Sequence, residues 1–214
     1  MTPRDPKKCV VLPFQLSEFI ALSGVVRHLC AGSTTDVMLL ADRDHVSSLR
    51  PLFAGVPKLR FKFVRPEEVP PTLKALRDAG CDIVRLRGMR VSDPYAAMGI
   101  SQTALDVERH ATSEAALLRA TRQAHGDGYV VVHGDYIRTE LLPPRAGVVR
   151  LPPPAAGNIF NWAGVLEHAA EFHAVDSSYL LMADALSLRT RKFLHTYASA
   201  HPTHKYSADV VTIW

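Results

Sequence analysis

The chain has 214 residues, 47% of them hydrophobic and 21% charged, which is enough for a substantial core and leaves no long polar tract to stay unfolded. Its net charge of +4 comes from Lys and Arg spread along the chain without a run of five, so nucleic acid is not demanded, and a small anion such as a nucleotide phosphate suits the charge equally well. Cys9, Cys30 and Cys81 are odd in number and form no C-x-x-C, which argues against a disulfide framework or a cysteine zinc site and points to a reducing compartment.

In chain order, "CVVLPF" is a short valine-rich run that predicts a buried strand. A helix is expected over 17–31, where Phe19, Ile20, Leu22, Val25, Val26 and Leu29 recur at helical spacing and Gly32 ends the run. Strand "DVMLLA", a helix near 44–53 closing at Gly55 and strand "LRFKFV" follow, then a helix over 70–79 and strand "CDIVRL". Such alternation predicts a Rossmann-like parallel sheet covered on both faces. After "MTPRDPKK" no apolar run is long enough for a signal peptide, and nothing approaches an integral membrane segment; the expected location is cytoplasmic.

A polar helical connection over 102–125 leads to a second round: strands "YVVVHGD" and "GVVRL", a turn forced by Pro152, Pro153 and Pro154, and helix "NIFNWAGVLEHAA". Strand "FHAVD", helix "YLLMADAL" and strands "KFLHTY" and "DVVTIW" complete it. The reading is therefore α/β, with one Rossmann-like lobe over 1–100, a connection over 101–126 and a second Rossmann-like lobe over 127–214, the two lobes facing across a cleft.

Open parallel sheets bind ligands at the carboxyl ends of their strands. Three loops occupy such ends here: Pro13 to Ser17, His133 to Arg138, and Asp176 to Ser178. In the last of these, the unpaired amides of a helix start and the hydroxyls of Ser177 and Ser178 could hold phosphate; the alternative is that one of the three residues merely caps the helix. Asp135 and Arg138 follow a buried strand, where an arginine could pair with phosphate or with Asp135 as a surface ion pair. His133 reads more readily as structural. The first loop has no glycine, which argues against a nicotinamide cofactor. Glu18, in the first helical turn, is a candidate general base or a residue favoured there by the helix dipole. Asn158 and Trp162 are candidates for nucleotide contact, with a helix cap and the core as their alternatives. The spacing of His195, His201 and His204 suggests a metal but brings no carboxylate or cysteine partner. The clusters "SSLRP" and "LSLRTRKF" read as solvated surface.

Taken in order, "VVRHLCAGSTTDVMLLADRDHVSSLRPLFAGVPKLRFKFV", "YVVVHGDYIR" and "NIFNWAGVLEHAAEFHAVDSSYLLMADAL" resemble short glycosyltransferase-like proteins of GT-B architecture, related in layout to the heptosyltransferase and nodulation fucosyltransferase families. The resemblance implies a nucleotide-sugar donor on the second lobe, a glycan or other hydroxyl acceptor on the first, and transfer without a bound metal or other cofactor. It places Glu18 where the family has an aspartate, although Gln15, Leu16 and Ser17 stand in place of a glycine-rich loop. The resulting expectation is a metal-independent glycosyltransferase with Glu18 and Asp135 as catalytic residues. Arg138, Asn158, Asp176, Ser177 and Ser178 would bind substrate, and a homodimer is conceivable. Two alternatives stay open: a module of the same fold that binds nucleotide sugar or a partner without catalysis, and a nucleotide-sugar epimerase.

Overall fold

A computed structural model describes residues 8–12, 14–86, 92–99, 105–135, 137–143, 147–197, 204 and 206–213. The chain divides into two units, Met1–Glu108 and Arg109–Trp214. Of the residues singled out above, Pro13, Tyr136 and His201 lie outside the described residues.

The first unit is built on a four-stranded sheet in the order β3-β2-β1-β4, parallel throughout. Its strands are β1 (Lys8–Val11), β2 (Val37–Asp42), β3 (Leu59–Val64) and β4 (Asp82–Arg85). Side chains alternate across a strand. Cys9, Val11 and Leu40 form one cluster with Leu73 and Leu76, and Val10, Leu39 and Ala41 on the opposite face are wholly buried as well. Both faces are covered at β1 and β2, as continuous apolar strands require, whereas β3 leaves Arg60 and Lys62 exposed on one face.

The helix expected over 17–31 is two helices, α1 (Leu16–Ala21) and α2 (Ser23–Ala31). The break at Leu22 has a tertiary cause. The Tyr95 hydroxyl donates to the Ala21 carbonyl and accepts the Gly24 amide, both at 3.1 Å, while the Ser23 hydroxyl turns back to the Ile20 carbonyl. Helix α3 (Val46–Leu52) is entered through a short 3-10 turn over Arg43–His45. Helices α4 (Val69–Asp78) and α5 (Ser92–Ala97) complete the described helices of this unit.

Helix α6 (Ala111–His125) was expected within a connection but belongs to the second unit. Its Glu114 is buried and receives the Arg109 guanidinium, Nε at 2.8 Å, so the polar look of this helix conceals an inward face. The second sheet runs β6-β5-β7-β8-β9, again all parallel. Its strands are β5 (Val130–His133), β6 (Val148–Arg150), β7 (Glu171–Ala174), β8 (Arg191–His195) and β9 (Val210–Ile213).

The predicted helix over 158–170 is a 3-10 turn, Ile159–Trp162, followed by the short α7 (Ala163–Glu167). Phe160, Val165 and Leu166 point inward as expected. Helix α8 (Ser178–Ala185) follows β7 and is apolar on all sides, its residues from Ser178 to Ala183 all buried.

Where α6 ends, the chain passes close to the start of β6. A Cβ on Gly147 would lie 2.7 Å from the His125 carbonyl oxygen. Gly147→Ala is expected to cost about 2 kcal/mol of stability by overpacking against backbone. Gly157→Ala, where an added Cβ meets nothing within 4 Å, serves as the control in urea unfolding and should stay within about 0.5 kcal/mol of the parent.

Candidate functional site

Strand order locates the crevices. In β3-β2-β1-β4 the chain moves outward from β1 through β2 to β3 and then crosses back to place β4 on the other side of β1, so the topological switch point lies between β1 and β4. In β6-β5-β7-β8-β9 it lies between β5 and β7. The carboxyl ends of these strand pairs are where an open α/β sheet leaves room for a ligand.

At the first switch point a cavity of about 710 Å³ is lined by Leu12, Phe14 and Gln15 after β1, by Arg85 at the end of β4, and by Val69, Leu73 and Arg77 along α4. Asp42 at the end of β2 also faces it. Glu18 sits half-buried in the first turn of α1, beside this loop, and its neighbours Leu16 and Ser17 are buried. The side chains at 16 and 17 thus fill space inward that glycines would leave open.

At the second switch point the loops after β5 and β7 lie side by side. The Val175 amide donates to the His133 carbonyl at 3.2 Å. Gly134 holds φ +119°, and a Cβ there would sit 3.1 Å from both methyls of Val175. Glycine is required on both counts, backbone conformation and close approach. The structure therefore brings together two of the three candidate loops. Asp135 is exposed and forms no ion pair with Arg138; among the described residues the Arg138 guanidinium has no carboxylate partner. Its guanidinium carbon lies instead 4.6 Å from the centre of the Tyr197 ring.

In the loop after β7 each residue has a distinct place. Ser177 is the N-cap of α8, its hydroxyl oxygen accepting the Leu180 amide at 3.4 Å. Ser178 is 6% exposed. Asp176, with 10% of its side chain exposed, accepts from His204 Nδ1 at 2.9 Å and from the Tyr206 hydroxyl. Burial, then the Asp176 carboxylate, push the Tyr206 phenol far above the usual range. The Leu180 amide is thus already engaged by the cap. The Ser178 and Tyr179 amides, in the first turn of α8, and the Ser177 hydroxyl hydrogen remain for an anion, with the positive end of the helix dipole behind them.

The other candidates are accounted for within the fold. Asn158 caps the 3-10 turn, Oδ1 accepting the Phe160 amide at 3.0 Å and Nδ2 donating to Asn161 Oδ1 at 3.3 Å, so both ends of its amide have internal partners. Trp162 is half-buried and lines a shallow hollow with residues of α6 and β6, away from the core centre. His133 packs its ring on Tyr179 with centroids 4.8 Å apart, and burial lowers its pKa.

His195 and His204 serve different partners: His195 Nε2 meets His173 Nδ1 at 2.9 Å, whereas His204 holds Asp176. Among the described residues no group of three His, Cys, Asp or Glu side chains is placed to hold a metal. In "LSLRTRKF", read as solvated, Lys192 is 4% exposed and its ammonium donates to the Leu188 carbonyl at 2.7 Å. Tyr197, Tyr206 and the pair Arg77 and Arg85 were not singled out from sequence. Tyr197 and Arg85 stand at strand carboxyl ends, so the rule that selected the other loops would have reached them.

Two parallel α/β units of this kind in one chain have the GT-B-like layout of glycosyltransferases. No protein-family model matches the chain, and no curated protein matches it. Solved structures do. A glycosyl transferase family 9 protein from Veillonella parvula superposes with a TM-score of 0.59 at 10% identity, over 97% of this chain and 86% of that one. The ADP-heptose lps heptosyltransferase II of E. coli gives 0.53 at 11% identity, over 96% and 90%. The iron-containing dodecameric glycosyltransferase TibC of enterotoxigenic E. coli gives 0.54 at 13% identity, over 99% of this chain and 64% of its own. Among the described residues no helix is long and apolar enough to cross a membrane.

Proposed function

We propose that this chain transfers a sugar from a nucleoside-diphosphate donor to an acceptor hydroxyl. The observation that carries the reading is that the loops after β5 and β7 lie side by side at the switch point of the second sheet, one leading into the first-turn amides of α8 and the other bearing Arg138, whose guanidinium has no carboxylate partner among the described residues. A leaving diphosphate accumulates charge as the glycosidic bond breaks, and preorganised donors aimed at that charge lower the barrier. Arg138, the Ser177 hydroxyl and the Ser178 and Tyr179 amides are the donors in this reading, and no step is assigned to a metal or other cofactor. TibC has been solved with ADP-D-beta-D-heptose, which puts ADP sugars first among the donors to test.

Asp176 is better placed as a support of the loop than as a phosphate contact, since a carboxylate against a diphosphate repels it. Asp135, exposed at the end of β5, and Asn158, with its amide engaged, stay secondary candidates. The acceptor would use the cavity of the first unit, with Glu18 as the base that takes its hydroxyl proton. A second reading, a module that binds nucleotide sugar or a partner without turnover, is favoured by one observation: Leu16 and Ser17 fill the first loop with buried side chains.

A thermal-shift screen of nucleotides and nucleotide sugars tests the donor site. A ligand at a hundred times its dissociation constant adds about 2.7 kcal/mol of stability. Ser177→Ala, scored against its own ligand-free midpoint to discount the lost cap, is expected to reduce that gain. A panel in which no nucleoside diphosphate or its sugar raises the midpoint would remove the basis for the reading.

A further inference from the structure

The structure assigns to Tyr197 the role of a positioning residue for Arg138, an inference that rests on the diphosphate reading of the site. Tyr197 and Arg138 are far apart in sequence and follow different strands, β8 and β5, which lie on either side of β7 in the sheet. Their contact therefore passes across the carboxyl end of β7, the strand that leads into Asp176, Ser177 and Ser178.

Tyr197 holds Arg138 in two ways. Its hydroxyl accepts the Arg138 backbone amide at 2.9 Å, and its ring lies 4.6 Å from the guanidinium carbon. One side chain thus restrains both the main chain and the side chain of the same residue. An aromatic face attracts the cation without supplying an acceptor for its N–H groups, so the guanidinium is steadied while its donors stay available for phosphate oxygens. An exposed arginine otherwise loses considerable rotamer freedom on binding, and prior restraint reduces that loss.

The ring is itself braced. His195, 1% exposed, meets it edge-on with centroids 5.4 Å apart and planes at 84°. His195 is bonded to His173, and His173 Nε2 to Glu171 at 3.0 Å. Tyr197 therefore stands on a buried polar chain running along β7 and β8, with the guanidinium on top.

The test uses the full chain with ADP, UDP and GDP as probes, carrying forward whichever binds most tightly. Arg138→Ala is expected to weaken binding about tenfold, in keeping with the loss of a charge-assisted hydrogen bond. Tyr197→Leu is expected to weaken it about fivefold, and Tyr197→Phe, which keeps the ring, about twofold. In the Arg138→Ala background Tyr197→Leu should cost nothing further, because a residue acting through another is non-additive with it. The Arg138 side-chain N–H resonance reads the placement without any ligand: it should keep its position in Tyr197→Phe and move towards the random-coil value in Tyr197→Leu.

A Tyr197→Leu loss that persists undiminished without Arg138, or an Arg138 resonance unmoved in Tyr197→Leu, overturns the positioning role and leaves the diphosphate reading standing. Binding of all three nucleotides unaltered by Arg138→Ala, or no binding of any to the parent chain, overturns both.

Discussion

Glu18→Gln is expected to lower sugar transfer by roughly a hundred- to ten-thousand-fold, the range over which a positioned general base contributes, while nucleoside-diphosphate binding stays within about twofold of the parent. The substitution keeps the shape of the side chain and its place in the first turn of α1 but removes the ability to take a proton. Glu18 lies in the first unit, whereas the proposed diphosphate donors all belong to the second, so the two measurements separate the two roles. Turnover is followed as release of nucleoside diphosphate with and without acceptor. Full activity in Glu18→Gln would remove it as the base. A parent chain that binds nucleotide sugars but turns none over would decide for the binding module, with the side chains of Leu16 and Ser17 as the physical reason. An epimerase would differ from both by yielding free sugar or an epimer with no acceptor present.

The second large effect is on stability. Acidification from pH 6.5 to 4 is expected to remove on the order of 3 kcal/mol through His195 and its partner His173. Desolvation by burial, then the neighbouring His173, lowers the pKa of His195 to about 4, and burial also lowers that of His173. Glu171 accepts from His173 Nε2, so His173 Nδ1 is left to accept from His195 Nε2. In this arrangement His195 Nδ1 is buried with no partner among the described residues, and a proton placed there would be an uncompensated buried charge.

The sign follows directly. Above the ordinary histidine pKa both states are neutral at these positions, and the stability is fully present. Between 6.5 and about 4 the unfolded chain takes up protons that the folded chain refuses, so stability falls with pH until the folded form protonates as well. Urea unfolding across this window, for the parent and for His195→Gln, checks it. The variant should show a shallower fall with acidity, whatever its stability at neutral pH; equal slopes would mean that carboxylates elsewhere govern acid unfolding.

How far the sequence could be read depended on whether a feature was local. Strand β3, "LRFKFV", lies where its alternation put it, and α4 lies within one residue of its predicted span, because Val69, Leu73 and Leu76 recur on one face and need no distant partner to be recognised. The helix over 17–31 was read as continuous because its apolar spacing is continuous. The hydroxyl that divides it comes from Tyr95, far along the chain, and no local pattern announces that. Lys192 is buried for a similar reason. In a run of basic residues it looks solvated, but the alternation of β8 turns it inward, where the Leu188 carbonyl four residues earlier receives its ammonium.

The candidate site divides along the same line. Ser177 at the start of α8 was visible from the junction of strand and helix, since capping is a matter of neighbouring residues. The engagement of Asp176 by His204 and Tyr206, and the stacking of Arg138 on Tyr197, were not, since each joins segments that only the sheet brings together.

From the sequence alone come the two rounds of strand and helix, the all-parallel character of the sheets and the loops at the strand ends, because hydrophobic period and turn residues are properties of short stretches. Strand order is another matter. That β5 and β7 are neighbours, setting the loop that bears Arg138 beside the loop that leads into α8, and that β8 brings Tyr197 across from the far side of β7, depend on how crossovers pack over a sheet, and that packing is set by contacts between residues remote in the chain.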